Sequence, residues 1–213
     1  EIFEKLNLEN PSILRFQKYL ADTYLNLNRI VDCKKLMDDI NLNFNEWNRE
    51  WVSIQLWFYN KSGQYSKTID FFSKHKLKVE ALEHPLTLVI KAFYKNGDYA
   101  HVNELCEKLL KLNPNNHQAF FLKGIVDKHF GNYENAIDNF LTSIGLSYFQ
   151  PVGHYNLALA LRALQLYPEA IAALKTCLQQ APKWNQPMQI LEEIYKINPN
   201  IVLTDKMRNF LDS

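Results

Sequence analysis

Apolar residues recur along the chain in stripes of helical period. Val102, Leu105, Cys106, Leu109 and Leu110 follow the i, i+3, i+4, i+7, i+8 spacing that puts side chains on one face of a helix. A comparable stripe returns at Ala136, Ile137, Phe140, Leu141 and Ile144, and again at Ala170, Ile171, Leu174, Cys177 and Leu178. No stretch of useful length alternates apolar and polar residues as a half-buried strand would. The pattern predicts an all-α chain of short amphipathic helices.

The stripes are in phase with a second signal. Gly63-Gln64-Tyr65, Gly97-Asp98-Tyr99 and Gly131-Asn132-Tyr133 are spaced 34 residues apart, and one further step reaches Gln165-Leu166-Tyr167. Pro114 and Pro182 are two periods apart, and Ala136 and Ala170 one. Each period therefore reads as two helices joined at the glycine, where a left-handed residue ends the first helix. Prolines fall at the inferred boundaries: Pro168 starts a second helix, Pro85 and Pro151 lie in first turns, and Pro114 and Pro182 close units. Units are expected at about 14–48, 49–82, 83–116, 117–150 and 151–184. The phase of the first slips by one residue. Residues 185–213 are expected to cap the array, with a helix over 187–197 and a shorter one over 203–212 begun by Thr204 or Asp205. The whole of 1–213 reads as a single domain.

A 34-residue helix-turn-helix unit with small and aromatic residues at these offsets resembles the tetratricopeptide repeat. The match is fullest over 151–184, where Leu157, Ala158, Tyr167, Ala170, Leu174, Cys177 and Pro182 occupy the family's hydrophobic and small positions and His154 replaces its usual Trp. In 117–150, Phe120, Gly124, Gly131, Tyr133, Ala136 and Phe140 fit, while Lys123 stands for a Leu and Tyr148 for the closing Pro. In 83–116, Val89, Phe93, Gly97, Tyr99 and Pro114 fit, and Val102 replaces the small Ala. The resemblance implies an α-α superhelix, or solenoid, of about five units with a C-terminal capping helix.

Composition narrows the function. Of 213 residues, 47% are hydrophobic, enough for a packed core, and the formal charge of +1 argues against a nucleic-acid binder. No apolar run approaches the ~20 residues of a membrane helix. Six glycines disfavour folds built on glycine-rich phosphate loops, and no nucleotide, hydrolase or zinc signature occurs. No two histidines, nor a histidine and a cysteine, share a helix face at ligand spacing, so no metal is expected. The reading is a protein that is not an enzyme and carries no cofactor. His154 is expected in the core and His117 in a solvated turn. Cys33, Cys106 and Cys177 fall on packing positions, and unpaired thiols favour a reducing, cytoplasmic compartment. Adjacent acids at Asp38-Asp39 and Glu192-Glu193 diverge by ~100° on a helix and do not form an acid/base pair. Trp47 and Trp51, four apart, are expected to pack together.

In the resembled family, positions 2, 5, 9, 12 and 13 of each first helix line a concave groove. At the last four of these stand Ser53, Thr87, Phe121 and Tyr155; Trp57, Lys91, Ile125 and Leu159; Asn60, Tyr94, Lys128 and Arg162; and Lys61, Lys95, His129 and Ala163. These rows hold cations and aromatics and no carboxylate. The expected peptide site is Trp57, Lys91, Tyr94, Lys95, Phe121, Lys128, Tyr155, Asn156 and Arg162. Asn156 sits one position from a groove row, where it can bind a peptide backbone. The implied function is a non-catalytic scaffold for a protein or peptide with acidic and apolar residues. The co-chaperone type of carboxylate clamp does not fit, because Asp22 follows Lys18 and the later Lys-x-x-x-Arg is absent. A second reading is a regulatory or targeting region of a larger enzyme. The chain begins at Glu1 rather than Met, and residues 143–161 are similar to repeats appended to alkaline-phosphatase-superfamily phosphodiesterases. Sequence-reading RNA recognition does not fit, since the rows vary too much between units to form a code.

Overall fold

The computed structural model describes residues 14–41 and 49–198. Among these residues the regular structure is helical throughout, with eleven helices joined by turns and short links and no strand. They form two compact units, divided between Asn113 and Pro114.

The hairpins form because one left-handed residue ends each first helix. Asn28, Gly63, Gly97, Gly131 and Gln165 have φ of 57°, 71°, 78°, 79° and 61°. In each hairpin the next N–H returns to the carbonyl five residues back: Arg29 to Tyr24 at 2.7 Å, Gln64 to Tyr59 at 2.8 Å, Asp98 to Phe93 at 3.0 Å, Asn132 to Asp127 at 2.9 Å and Leu166 to Leu161 at 2.9 Å. Asn28 lies 35 residues before Gly63 and the other steps are 34, so the one-residue slip of the first hairpin is real.

The first unit holds three such hairpins: α1 (Leu14–Asn26) with α2 (Ile30–Asn41), α3 (Arg49–Lys61) with α4 (Tyr65–Glu80), and α5 (Glu83–Lys95) with α6 (Tyr99–Leu112). The first helices α1, α3 and α5 pack side by side, and α4 packs against both α3 and α5. Leu20, Ala21, Leu25, Cys33, Met37, Ile54 and Phe58 form one buried cluster at the α1 end. Phe72 meets Phe93 edge-on, with centroids 6.0 Å apart, beside buried Val89, Val102, Leu105 and Leu109. Asn60 ties three helices together. Its amide donates to the Leu88 carbonyl at 2.7 Å and its oxygen accepts from the Thr68 hydroxyl at 2.8 Å.

The second unit holds α7 (His117–His129) with α8 (Tyr133–Leu146), α9 (Pro151–Ala163) with α10 (Tyr167–Gln180), and then α11 (Gln186–Ile197). Ala119, Phe140, Ala158, Ala160, Ala170, Leu174 and Cys177 are fully buried. Small residues let these helices approach, and Gly124 faces the Phe140 ring, where an added Cβ would lie 2.7 Å from it. The capping helix α11 keeps the phase of a first helix. Pro187 stands three periods beyond Pro85, and buried Leu191 and Ile194 stand one period beyond Leu157 and Ala160. Its Leu191 and Ile194 bury the apolar edge of α10.

His154 is buried, with Nε2 3.2 Å from the Tyr148 carbonyl. Cys33, Cys106 and Cys177 are buried thiols, and burial pushes Cys33 up to about 12 and Cys177 up to about 11. His117 is not in a solvated turn. Asn116 takes the cap, accepting from the Ala119 N–H at 2.9 Å, which draws His117 half-buried into the first turn of α7. The expected Trp47–Trp51 contact and the 203–212 helix lie outside the described residues.

Candidate functional site

Successive first helices present the same face, so a column of equivalent positions runs across neighbouring helices within each unit. In the first unit this face opens into a cavity of about 700 Å³. Lys18 and Asp22 of α1, Ser53 and Trp57 of α3, and Glu83 and His84 at the start of α5 line it. Trp57 is half-buried, packed on the α1–α3 cluster along one side while it walls the cavity. Lys91, one period after Trp57, is also half-buried on α5. Among the described residues its ammonium has no hydrogen bond or ion pair, and burial pulls its pKa down. Further along α5, Tyr94 is half-buried with its ring 6.3 Å from Tyr99, and exposed Lys95 places its ammonium 5.4 Å from the Tyr94 ring centroid.

His84 joins the electrostatics of this cavity. Exposed at the rim but partly desolvated by the cavity walls, it has its pKa lowered first by that desolvation and then by Lys91 and Lys18, while Asp22 and Glu83 act the other way. Glu83 also accepts from the Asn113 amide at 2.7 Å.

In the second unit the equivalent face is already engaged. Half-buried Phe121 lies against Phe140, centroids 5.9 Å apart. Lys128 donates to Asn156 Oδ1 at 2.6 Å, joining α7 to α9, and burial lowers its pKa. Asn156 is buried and its amide donates to the Val152 carbonyl at 2.8 Å. Tyr155 lies against Trp184, centroids 4.8 Å apart, in the link to α11. Arg162 pairs with Glu193 of α11 at 2.5 Å.

Of the nine expected site residues the structure thus joins Lys128 to Asn156 and Tyr94 to Lys95. Two other groove positions face inward: Thr87 is buried with its hydroxyl on the Glu83 carbonyl, and Ile125 is buried. The face is not without carboxylates either. Glu193 occupies the position one period after Leu159, and Asp22 stands 35 residues before Trp57 in the slipped first hairpin. Lys18 stands the same 35 before Ser53. Extending the phase through α11 and applying the slip to α1 would have found all three. His84 holds position 2 of the unit 83–116, a groove position of the resembled family, while Trp184 lies off these positions and no periodic signal marks it.

Among the described residues no group of three or more His, Cys, Asp or Glu could hold a metal ion, and no helix is long and apolar enough to cross a membrane.

No protein-family model matches the chain, and no curated protein matches it. Solved structures do. A thermophilic TPR protein of Thermus thermophilus, TTC0263, is 15% identical with a TM-score of 0.68, over 85% of this chain and 98% of that one. MamA from Desulfovibrio magneticus RS-1 is 18% identical with a TM-score of 0.63, over 71% and 85%. A chain of the APC/C hetero-tetramer Cut9–Hcn1 is 16% identical with a TM-score of 0.79, over 99% of this chain and 44% of that one. At these identities the likeness is one of fold, and the fold is that of tetratricopeptide-repeat proteins.

Proposed function

We propose that this chain, a tetratricopeptide-type array, is a non-catalytic scaffold that binds a peptide segment of a partner protein along its first-helix faces. One observation carries the reading: a cavity of about 700 Å³ opens where α1, α3 and the start of α5 present their groove positions, with the Trp57 indole, Lys18 and His84 at its wall beside Asp22 and Glu83. An open face of this kind is where a fold without a catalytic constellation can do its work. Trp57, Tyr94, Phe121 and Tyr155 supply rigid aromatic area, and Lys91, Lys95, Lys128 and Arg162 supply positive charge. That set suits a segment with apolar and acidic residues.

Aromatic anchors dominate such interfaces, whereas rim charges contribute ~0–1 kcal/mol each. Truncation of Trp57, or of Phe121 with Tyr155, is therefore expected to weaken binding more than Lys95→Ala. The test is to capture a partner with the full chain, identify it, and titrate it against wild type, Trp57→Ala and the Phe121→Ala/Tyr155→Ala double variant by calorimetry. Equal affinity for all three proteins would place the ligand off these faces and end the proposal.

A further inference from the structure

Lys91 is the singular group on the first unit's face. A half-buried ammonium has given up part of its hydration, and burial is tolerated where a counter-charge or hydrogen bond compensates. Lys128, half-buried on α7 in the second unit, has such compensation from Asn156. Lys108 is held between Glu80 at 2.6 Å and Glu104 at 2.9 Å. Lys91 has neither a hydrogen bond nor an ion pair among the described residues, yet it stands one period from Trp57 on the neighbouring first helix. The Lys91 side chain is half-buried with its ammonium still reaching solvent, and no group among the described residues supplies its counter-ion.

Resting on the peptide-binding reading and deepening it, we infer that the first unit holds an acid-reading subsite: Lys91 takes the carboxylate of an acidic peptide side chain, the Trp57 indole takes an apolar side chain nearby, and His84 links affinity to proton concentration. The spacing of the two peptide side chains follows from the helices that read them. Packed helix axes lie ~8–10 Å apart, and an extended chain advances ~3.3 Å per residue. The acidic and apolar residues are therefore two or three positions apart.

The proton linkage comes from the charges around His84. Lys18 and Asp22 face it from α1, and Glu83 and Lys91 from its own helix α5. Lys91 opposes protonation of the imidazole. A carboxylate seated on Lys91 cancels that opposition, so the bound complex takes up a proton more readily than the empty site. Desolvation still holds the imidazole below its ordinary ~6.5 in the complex, so binding tightens as pH falls below ~6.5, while a peptide glutamate, with an ordinary pKa of ~4.3, stays ionised.

The probe is a fluorescein-labelled octapeptide with Leu and Glu three residues apart, compared with its twin carrying Gln for Glu. Both are titrated by fluorescence anisotropy against the full chain at pH 6.0 and 7.5. A charge-assisted contact to Lys91 predicts about tenfold tighter binding of the Glu peptide. Lys91→Met is expected to abolish that preference. His84→Gln is expected to retain the preference and lose the tightening at pH 6.0. Thermal melting of each variant confirms that it folds, and Lys91→Met removes a half-buried charge rather than creating one. Three results overturn the subsite: equal binding of the two peptides, no detectable binding of either, or a Glu preference that survives Lys91→Met. If that preference instead disappears in Arg162→Met, the acid is read in the second unit and peptide binding as such survives. The broader reading fails separately, when the captured partner binds wild type and the aromatic variants alike.

Discussion

Gln165 shows how one backbone angle propagates into the repeat. Four of the five hairpin turns carry Asn or Gly at the left-handed position, and Gln165 holds φ of 61° without the help of a glycine or a short amide side chain. A β-carbon there costs ~1–2 kcal/mol, while glycine's greater freedom in the unfolded chain returns ~0.5–1. Gln165→Gly is accordingly expected to stabilise the protein by about 0.5–1 kcal/mol, read from the urea midpoint at constant slope. Gly97→Ala, at φ of 78°, is expected to do the reverse by a similar or larger amount. A different glycine acts through space. Gly124→Ala would set a methyl 2.7 Å from the ring of Phe140, which is fully buried and cannot swing into solvent. The expected cost is about 1–3 kcal/mol by thermal or urea unfolding.

Helices in this chain are individually short, 12 to 16 residues, and helices of that length are marginal alone in water. Their stability comes from the partner that covers the apolar stripe. The buried alanines mark where two helices come closest: Ala136 on α8 and Ala170 on α10 occupy the same place one period apart. Ala170→Leu must push α10 away from its neighbour and is expected to cost about 1–3 kcal/mol. An unchanged melting temperature would mean that the α9–α10 contact is looser than the buried alanine implies. The capping helix works by the same rule with different chemistry. Beyond the apolar contacts to α10, it meets α9 through Arg162–Glu193, and the link that precedes it meets α9 through Tyr155–Trp184.

At the scale of the whole molecule the near-zero net charge leaves pH response to particular groups. His154 is buried against the Tyr148 carbonyl, and loss of water holds its pKa below the ordinary value. The unfolded chain, with histidine near ~6.5, therefore binds a proton at a pH where the folded chain does not. The stabilisation is complete above pH ~6.5 and declines as pH falls toward the lowered folded pKa. His84 is shifted in the same direction and adds to the slope. Melting temperature is expected to fall between pH 7 and pH 5, and less steeply in His154→Gln, which keeps a polar side chain and has no proton to bind. Parallel slopes for the two proteins would show that His154 titrates normally.

The repeat, the helix pairs and their phase were legible in the sequence because each is encoded within one period. A left-handed turn residue, an apolar stripe of 3.6-residue spacing and a proline at a boundary act on neighbours along the chain. The buried places of Ala136, Ala170, His154 and the three cysteines follow from the same phase. Which groove positions stay open to a ligand did not follow from it. Thr87 and Ile125 turned inward, Asn60 became a clamp between helices, and Asn156, Tyr155 and Arg162 met Lys128, Trp184 and Glu193. Those outcomes depend on what the adjacent helix brings to the same spot, 28 to 31 residues away in the chain for the polar pairs. A one-residue slip, as in the first hairpin, turns a helix face by ~100° and hides Lys18 and Asp22 from a fixed-period reading. Periodicity determined the faces, and packing across helices decided which side chains on them kept a charge without a counter-ion.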